Sequence, residues 1–507
     1  MELAMTVMCR LVDAEGIPLG DPMYIPQRAG KLQLTELANK FLNNEEKLPY
    51  AFYVSGEELR VPVGTYIEDR SGNISVGYIL FGIIIIIIII IIIIIIICLA
   101  NCVHAVSMEE ILTIVYRQEA VFRTRPVSRI SASIPGHRDS VLCVSFSPDG
   151  TQLASGSGDT TVRLWDLYTQ TPMFTCIGHT NWVLSVAWSP DGKHLVSGDL
   201  AGNICCWIPE TGKLDGSPLR GHKKWITSIS WEPAHLTYPC RRFVTSSKDE
   251  DARIWDITLK KSVTCLSGHT RGVTCVKWGG DGIIYTGSQD CTIKMWQVSP
   301  EGLPCLKAQL KKHGHWVNSL ALSTDYVLRT GAFDHTGKQY SSSPEEVRKA
   351  ALKRYDQAKG EYGERLVSGS DDFTMILWDQ SVSDQPKQHL FGHQQLVNQV
   401  CFSPNGQWIA SASFDKSVRI WDGITGAFIT TLRGHLGPVY QISWSPDSRM
   451  LLSGSKDSTL KIWDIGLRQL KQDLPGHADE VYAVDWSPDG ERVVSGGKDK
   501  SLKLWVG

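Results

Sequence analysis

Toward the end of the chain, apolar and polar positions follow a fixed order. Between Leu474 and Trp505 a Gly-His pair (Gly476, His477) leads into an apolar run, Val481 to Trp486, that only Asp485 interrupts. Ser487 to Gly490 then read Ser-Pro-Asp-Gly, residues that supply the backbone angles of a tight turn. A second strand-like run follows, with Asp499 in the next turn and Trp505 closing a third strand. Short apolar runs punctuated this way predict one small antiparallel sheet.

A sheet so narrow cannot cover its own faces, so one copy predicts several stacked against each other. A His followed by a Trp about 28 residues later recurs as His137/Trp165, His179/Trp207, His222/Trp255, His269/Trp296, His313/Trp378, His393/Trp421, His435/Trp463 and His477/Trp505. The His-to-His steps are 42, 43, 47, 44, 80, 42 and 42, so seven units are near-regular and one carries an insertion. The pattern predicts an all-β fold, an eight-bladed β-propeller.

These repeats resemble the WD40 family. In each unit a carboxylate can accept from the His, and a Ser hydroxyl can join the His to the Trp indole. The carboxylates are Asp159, Asp249, Asp290, Asp372, Asp415, Asp457 and Asp499. The second unit has Ala201 where the Asp is expected and the fifth has Lys312 before its His, which predicts looser bracing in both. Repetition argues that these residues fold the chain rather than catalyse, because an active site occurs once.

Ahead of the repeats, Thr6 to Leu11 and Met23 to Pro26 read as a hairpin, and Leu34, Leu37, Ala38, Phe41 and Leu42 share one helix face. Tyr50 to Val54 adds a strand, and Ile111 to Tyr116 can complete a ubiquitin-like α+β domain over residues 1–116. Residues 76–106 interrupt it with a run of isoleucines, Ile83 to Ile97. Its length satisfies a membrane span, but it lacks a mixed apolar composition and a basic flank. It reads as a translated nucleotide repeat, dispensable and not membrane-spanning. The propeller then occupies residues 117–507, and because its last unit stops at the third strand, the closing strand must come from about Val127 to Ile134.

Inside the 80-residue step, about residues 329–363, Ser343, Pro344, Glu345, Glu346 and Gly360 punctuate a helix that carries Arg348, Lys349, Lys353 and Arg354. It reads either as a solvated helix or as a basic contact arm toward RNA or an acidic partner.

Charge changes the picture little. With 51 basic and 53 acidic residues the chain is near neutral, which removes any global case for nucleic-acid binding. The 13 cysteines form no Cys-x-x-Cys and fit a reducing compartment. No nucleotide loop, metal cluster or nucleophile signature stands out, so the chain reads as a monomeric binding platform, not an enzyme, with no cofactor of its own.

The blocks LPYAFYV, ILTIVYRQEAVFRTRPVSR, GHTNWVLSVAWSPDGKHLVSG, GHKKWITSISWEP, HGHWVNSLALSTDYVLRTGAFD, LVSGSDDFTMILWD and LPGHADEVYAVDWSPDG together resemble the Notchless family. The resemblance implies a nuclear and nucleolar assembly factor whose propeller docks on the pre-60S particle. It also implies an N-terminal domain gripped by the AAA ATPase midasin. There an acidic side chain completes a Mg²⁺ site held by midasin, and the matching position is Glu109, with Glu110 in reserve. The competing expectations are a substrate receptor of a ubiquitin ligase and a scaffold for Notch pathway components.

Overall fold

The computed structural model describes residues 6–13, 16–42, 49–55, 57–59, 61–67, 112–118, 123–299, 302–334, 343–379 and 385–507, in two compact units divided at Phe122 and Arg123. Ile83 to Ile97, Glu109 and Glu110 lie outside the described residues.

The first unit has strands β1 (Thr6–Val12) and β2 (Met23–Pro26), helix α1 (Lys31–Phe41), and strands β3 (Tyr50–Val54), β4 (Glu57–Glu58) and β5 (Leu112–Gln118). The sheet order is β2-β1-β5-β3-β4, with β5 parallel to β1 and antiparallel to β3. The final strand therefore enters the centre of the sheet, as a ubiquitin-like roll requires. Val7, Cys9, Leu11, Phe52, Val54 and Ile114 face Leu34 and Ala38 of α1 in one core. The helix starts earlier than its apolar face suggested, because the Gln33 amide oxygen accepts from the Gly30 N–H at 3.0 Å.

The second unit is eight four-stranded antiparallel sheets, numbered here as blades 1 to 8 from His137 to His477. Blade 8 combines Val481–Trp486, Arg492–Gly497 and Ser501–Val506 with β6 (Arg129–Pro135). Closure from the N-terminal side is thus as the repeat count required. The strand begins two residues later than Val127, since the Val127 side chain is fully buried among Met450, Leu460, Val484 and Trp505. Just upstream, the Thr124 N–H and hydroxyl both donate to Asp447, and Arg449 donates to the Thr124 carbonyl. This clamp ties the start of the closing segment to blade 7.

Side chains of the innermost strands stitch all eight blade interfaces. The Trp188 and Trp231 indoles donate back to the Ser145 and Ala187 carbonyls, linking blades 1 to 2 and 2 to 3. Thr227, Thr274, Asn318 and Asn398 donate forward to carbonyls of Val273, Val317, Val397 and Tyr440. Gln441 accepts the Val484 N–H at 3.0 Å. The ring closes where Asp485 accepts the Phe146 N–H at 3.0 Å. The polar break in the last apolar run is therefore the tie between blades 8 and 1.

Deleting residues 123–135 removes the clamp, Val127 and the outer strand of blade 8 together. The expected outcome in differential scanning calorimetry is loss of the cooperative propeller transition or a clear fall in its midpoint, since the shift of about 2–4 °C per kcal/mol in a 150–250-residue domain shrinks in a larger one and only a large loss of stability would show. An unchanged transition would show that the ring closes without β6.

Candidate functional site: the ring braces, the channel plug and the open mouth

Each brace runs from a tryptophan indole to a hydroxyl, an imidazole and a carboxylate. In blade 7 the Trp463 Nε1–H donates to Ser453 Oγ at 2.8 Å, Ser453 lies 2.7 Å from His435 Nε2, and His435 Nδ1 lies 2.9 Å from Asp457. Because the carboxylate can only accept, Nδ1 carries the imidazole proton, and in the neutral ring Nε2 is then the acceptor for the hydroxyl that also takes the indole N–H. The same chain occurs as Trp165–Ser155–His137–Asp159, Trp421–Ser411–His393–Asp415 and Trp505–Ser495–His477–Asp499. Threonine supplies the hydroxyl in Trp255–Thr245–His222–Asp249 and Trp296–Thr286–His269–Asp290.

The two blades expected to be loose are fully braced. In blade 2, Asp199 lies 3.0 Å from His179 Nδ1, and Asn203 supports the carboxylate. The carboxylate has moved two residues back, onto the end of the second strand, where the other repeats carry a small residue. In blade 5, His313 lies 2.9 Å from Asp372 and 2.7 Å from Ser368, whose hydroxyl takes the Trp378 indole. Lys312 changes nothing there, because the brace uses the imidazole and not the residue before it.

These are folding devices. The hydroxyls that would act as nucleophiles, such as Ser155, Ser411, Ser453 and Ser495, are wholly buried. Cys205 lies 3.8 Å from His179 Nδ1 in a Cys-His-Asp arrangement, but it too is wholly buried, and burial pushes its thiol far above the ordinary value. Among the described residues all 11 cysteines are free thiols, and no cluster of three or more His, Cys, Asp or Glu could hold a metal ion. Among the same residues no helix is long and apolar enough to cross a membrane.

The insertion in blade 5 forms α2 (Asp325–Thr330) and α3 (Pro344–Lys359). The first of these was not legible locally; it follows the inner strand Val317–Leu322, on the side of the Ser-Pro-Asp-Gly turns. It crosses the central channel there. Arg329 donates to both oxygens of Asp485 at 2.9 and 3.1 Å, Asp325 pairs with Lys277 at 2.9 Å, and the Tyr326 hydroxyl reaches the Pro488 carbonyl. The channel end behind it is a cavity of about 320 Å³ walled by Trp188, Trp231, Trp278 and Trp444.

Helix α3 has the predicted bounds, with Pro344 in its first turn and Gly360 at φ 52° past its end. Ser343 sits at the cap without a side-chain hydrogen bond, and its carbonyl accepts from the Glu346 N–H instead. The helix is not a free arm. Ala351 and Tyr355 are buried against blades 3 and 4, and the Tyr355 ring stacks on His235 at 4.6 Å with its hydroxyl donating to Asp281. Arg354 donates to the Gly331 and Phe333 carbonyls and Arg348 to the His235 carbonyl, so two of the four predicted contact cations hold the insertion together. Lys349 and Lys353 remain exposed.

The other end of the channel, on the His side, is open. A recess of about 470 Å³ is lined there by Lys248, Gln289, Trp316, Asn318, Asn398 and Phe414 among others. Three residues after the brace His stand Trp182, Trp225 and Trp316 in blades 2, 3 and 5, with exposures of 49%, 49% and 37%. The backbone of each is fixed: its carbonyl accepts the N–H of Leu200, Lys248 or Asp371 in the neighbouring turn. The sequence signal for this second set is the fixed offset of three residues from three of the brace histidines, which the His-to-Trp spacing of the repeats does not include.

The comparisons agree with this architecture. The family model described as "WD domain, G-beta repeat" matches at 128–166, 170–207, 213–256, 260–297, 384–422, 426–464 and 468–506, missing only the blade split by the insertion. The "NLE (NUC135) domain" model matches residues 7–67. "Notchless protein homolog" of Arabidopsis thaliana is 69% identical over 429 residues, covering 85% of this chain and 82% of that protein. "Protein Notchless" of Drosophila melanogaster is 46% identical over 404 residues, 79% of this chain and 75% of that protein. "Ribosome assembly protein 4" of Saccharomyces cerevisiae is 46% identical over 428 residues, 82% of this chain and 77% of that protein. The computationally designed Ika8 protein matches in fold with TM-score 0.58 and 25% identity, covering 75% of this chain and all of that one.

Ser453→Ala leaves the buried His435 and Trp463 nitrogens without their shared partner, so denaturant unfolding should show a loss of about 1–3 kcal/mol. Arg354→Glu should likewise destabilise by about 1–3 kcal/mol. The Lys349→Glu, Lys353→Glu pair should stay within about 0.5 kcal/mol.

The braces also set a pH dependence. Burial raises the brace carboxyls, but the hydrogen bonds from their imidazoles and neighbouring N–H and hydroxyl groups outweigh it, holding Asp249 at about 2 and Asp159, Asp290, Asp372, Asp415, Asp457 and Asp499 below the ordinary value. Burial lowers His477, against the pull of Asp499. Groups depressed in the folded state stabilise it above their unfolded pKa and lose that contribution as pH falls. Melting temperature should thus hold above about pH 6.5, decline slightly below it through His477, and drop steeply below about pH 4 through the carboxyls.

Proposed function

Because the chain belongs to the Notchless family of WD40-repeat proteins, we propose that it is a non-catalytic assembly factor of the large ribosomal subunit, acting in the nucleus and nucleolus. Its propeller docks on the pre-60S particle, and its N-terminal unit is the handle by which it is later engaged. The observation that carries the docking reading is the asymmetry of the channel. One end is crossed by the chain's own α2, and the other presents a recess and exposed tryptophans. A relative named for ribosome assembly supports the particle as the partner.

Engagement of the N-terminal unit is proposed to be by the midasin AAA ATPase through a Mg²⁺ ion held by midasin, with the Glu109 carboxylate, or Glu110 in its place, entering the coordination shell. Mg²⁺ takes hard oxygen donors in near-ideal octahedral geometry at about 2.0–2.1 Å, which suits a single carboxylate supplied from outside. Glu109→Asp keeps the charge and withdraws the oxygens by one methylene. In a pull-down with midasin's metal-binding domain, it should lose binding nearly as fully as Glu109→Ala, and EDTA should release the unmutated chain. Full binding by Glu109→Asp, or binding that survives chelation, would remove Glu109 from the metal.

A further inference from the structure

We propose that the His-side mouth of the propeller takes single-stranded RNA, with Trp182, Trp225 and Trp316 as stacking platforms and Lys223, Lys224, Lys248 and Arg271 as phosphate contacts. The proposal rests on the docking reading above and names the chemistry of what is docked.

The three tryptophans stand at equivalent places in blades 2, 3 and 5, so they lie along one arc of one face. Brace tryptophans are nearly inaccessible, whereas these leave between a third and a half of their surface in water. Large planar apolar rings held exposed at two adjacent stations and at a third past one intervening blade suit a ligand that offers flat faces in series. Cations accompany the rings. Lys223 and Lys224 directly precede Trp225, Arg271 fills blade 4 beside Gly272, and the Lys248 ammonium sits over the Trp316 ring at 5.8 Å. Rings with cations offset between them are the elements by which proteins hold single-stranded nucleic acid, bases on the rings and phosphates on the charges. The same turns in blades 8 and 1 carry no tryptophan; Asp479 and Glu480 of blade 8 are paired with Lys498 and Lys456 at 3.6 and 3.8 Å, so the rings and cations together place the ligand over blades 2 to 5. The carboxylate inside the recess, Asp371, accepts from Asn318 at 2.5 Å and lies 3.4 Å from His315 Nδ1, so it is turned to protein donors. An acidic peptide would meet the same cations, but it brings no flat faces for three exposed indoles.

The test uses the full chain, a fluorescein-labelled oligouridylate of about 12 nucleotides, a duplex of matched length, and a poly-glutamate peptide as competitor. The expected result is anisotropy binding of the single strand in preference to the duplex, with poly-glutamate failing to displace it at equal charge. The Trp182→Ala, Trp225→Ala, Trp316→Ala variant should bind at least about tenfold more weakly. Lys223→Glu with Lys224→Glu should weaken binding and flatten its salt dependence. Both variants should melt like the unmutated chain, because the braces are untouched. Equal binding by the triple variant, or displacement by poly-glutamate at equal charge, overturns the proposal. Co-sedimentation of the same variants with large-subunit precursors separates the two readings. If the triple variant loses the particle while the unmutated chain shows no RNA binding, the face docks a protein segment and the RNA proposal fails alone. If the triple variant keeps both the particle and the RNA, the docking reading fails with it.

Discussion

The hydrogen-bonded chain from indole through hydroxyl and imidazole to carboxylate is the interaction on which the propeller depends. Made once in every blade, it fixes the turn between the second and third strands against the loop that enters the blade. It buries its hydroxyl and imidazole and most of its carboxylate, and a buried polar group without a partner costs more than a satisfied one returns. Loss of any member therefore strands the others. Blade 2 shows how strong the demand is. With Ala201 at the usual place, Asp199 meets the same histidine from two residues away, and the brace survives by chemistry rather than by position.

Around that constant the chain varies only where it needs to differ. The stitching of the inner strands uses indole, hydroxyl, amide and carboxylate donors and acceptors in turn, so no single motif marks it. The insertion breaks the eightfold repetition once. By crossing the channel, α2 ties blades 4, 5 and 8 with two ion pairs and makes the two ends of the ring unlike. A nearly symmetric scaffold thus acquires a crossed side and an open one.

Much of this was legible in the sequence because it depends on local punctuation. The blade count, the succession of elements in the N-terminal unit, the use of β6 for closure and both ends of α3 follow from turn residues, periodicity and helix-boundary residues. What was missed depends on partners far away in the chain. Six residues of α2 carry no helix signal of their own and are placed by Lys277, Asp485 and Pro488. Arg354 reads as a surface cation until Gly331 and Phe333 offer their carbonyls. Val127 reads as the start of a strand, but the gap between blades 7 and 8 takes it as a core residue. The exposed tryptophans were visible in number and spacing, and only their accessibility separated them from the brace tryptophans.

The clamp at Thr124 has a mechanical meaning. Since β6 is both the first strand of the propeller in chain order and the outermost strand of its last blade, any tension drawn through the chain ahead of Arg123 reaches the ring at that one seam. It meets the Thr124 bonds to Asp447 and the Arg449 bond to the Thr124 carbonyl before it meets a single ladder bond of blade 8. The clamp works as a strain relief, like the grip that keeps a pull on a cable away from its solder joint, and the ring can stay shut under loads that would otherwise unzip it from one edge.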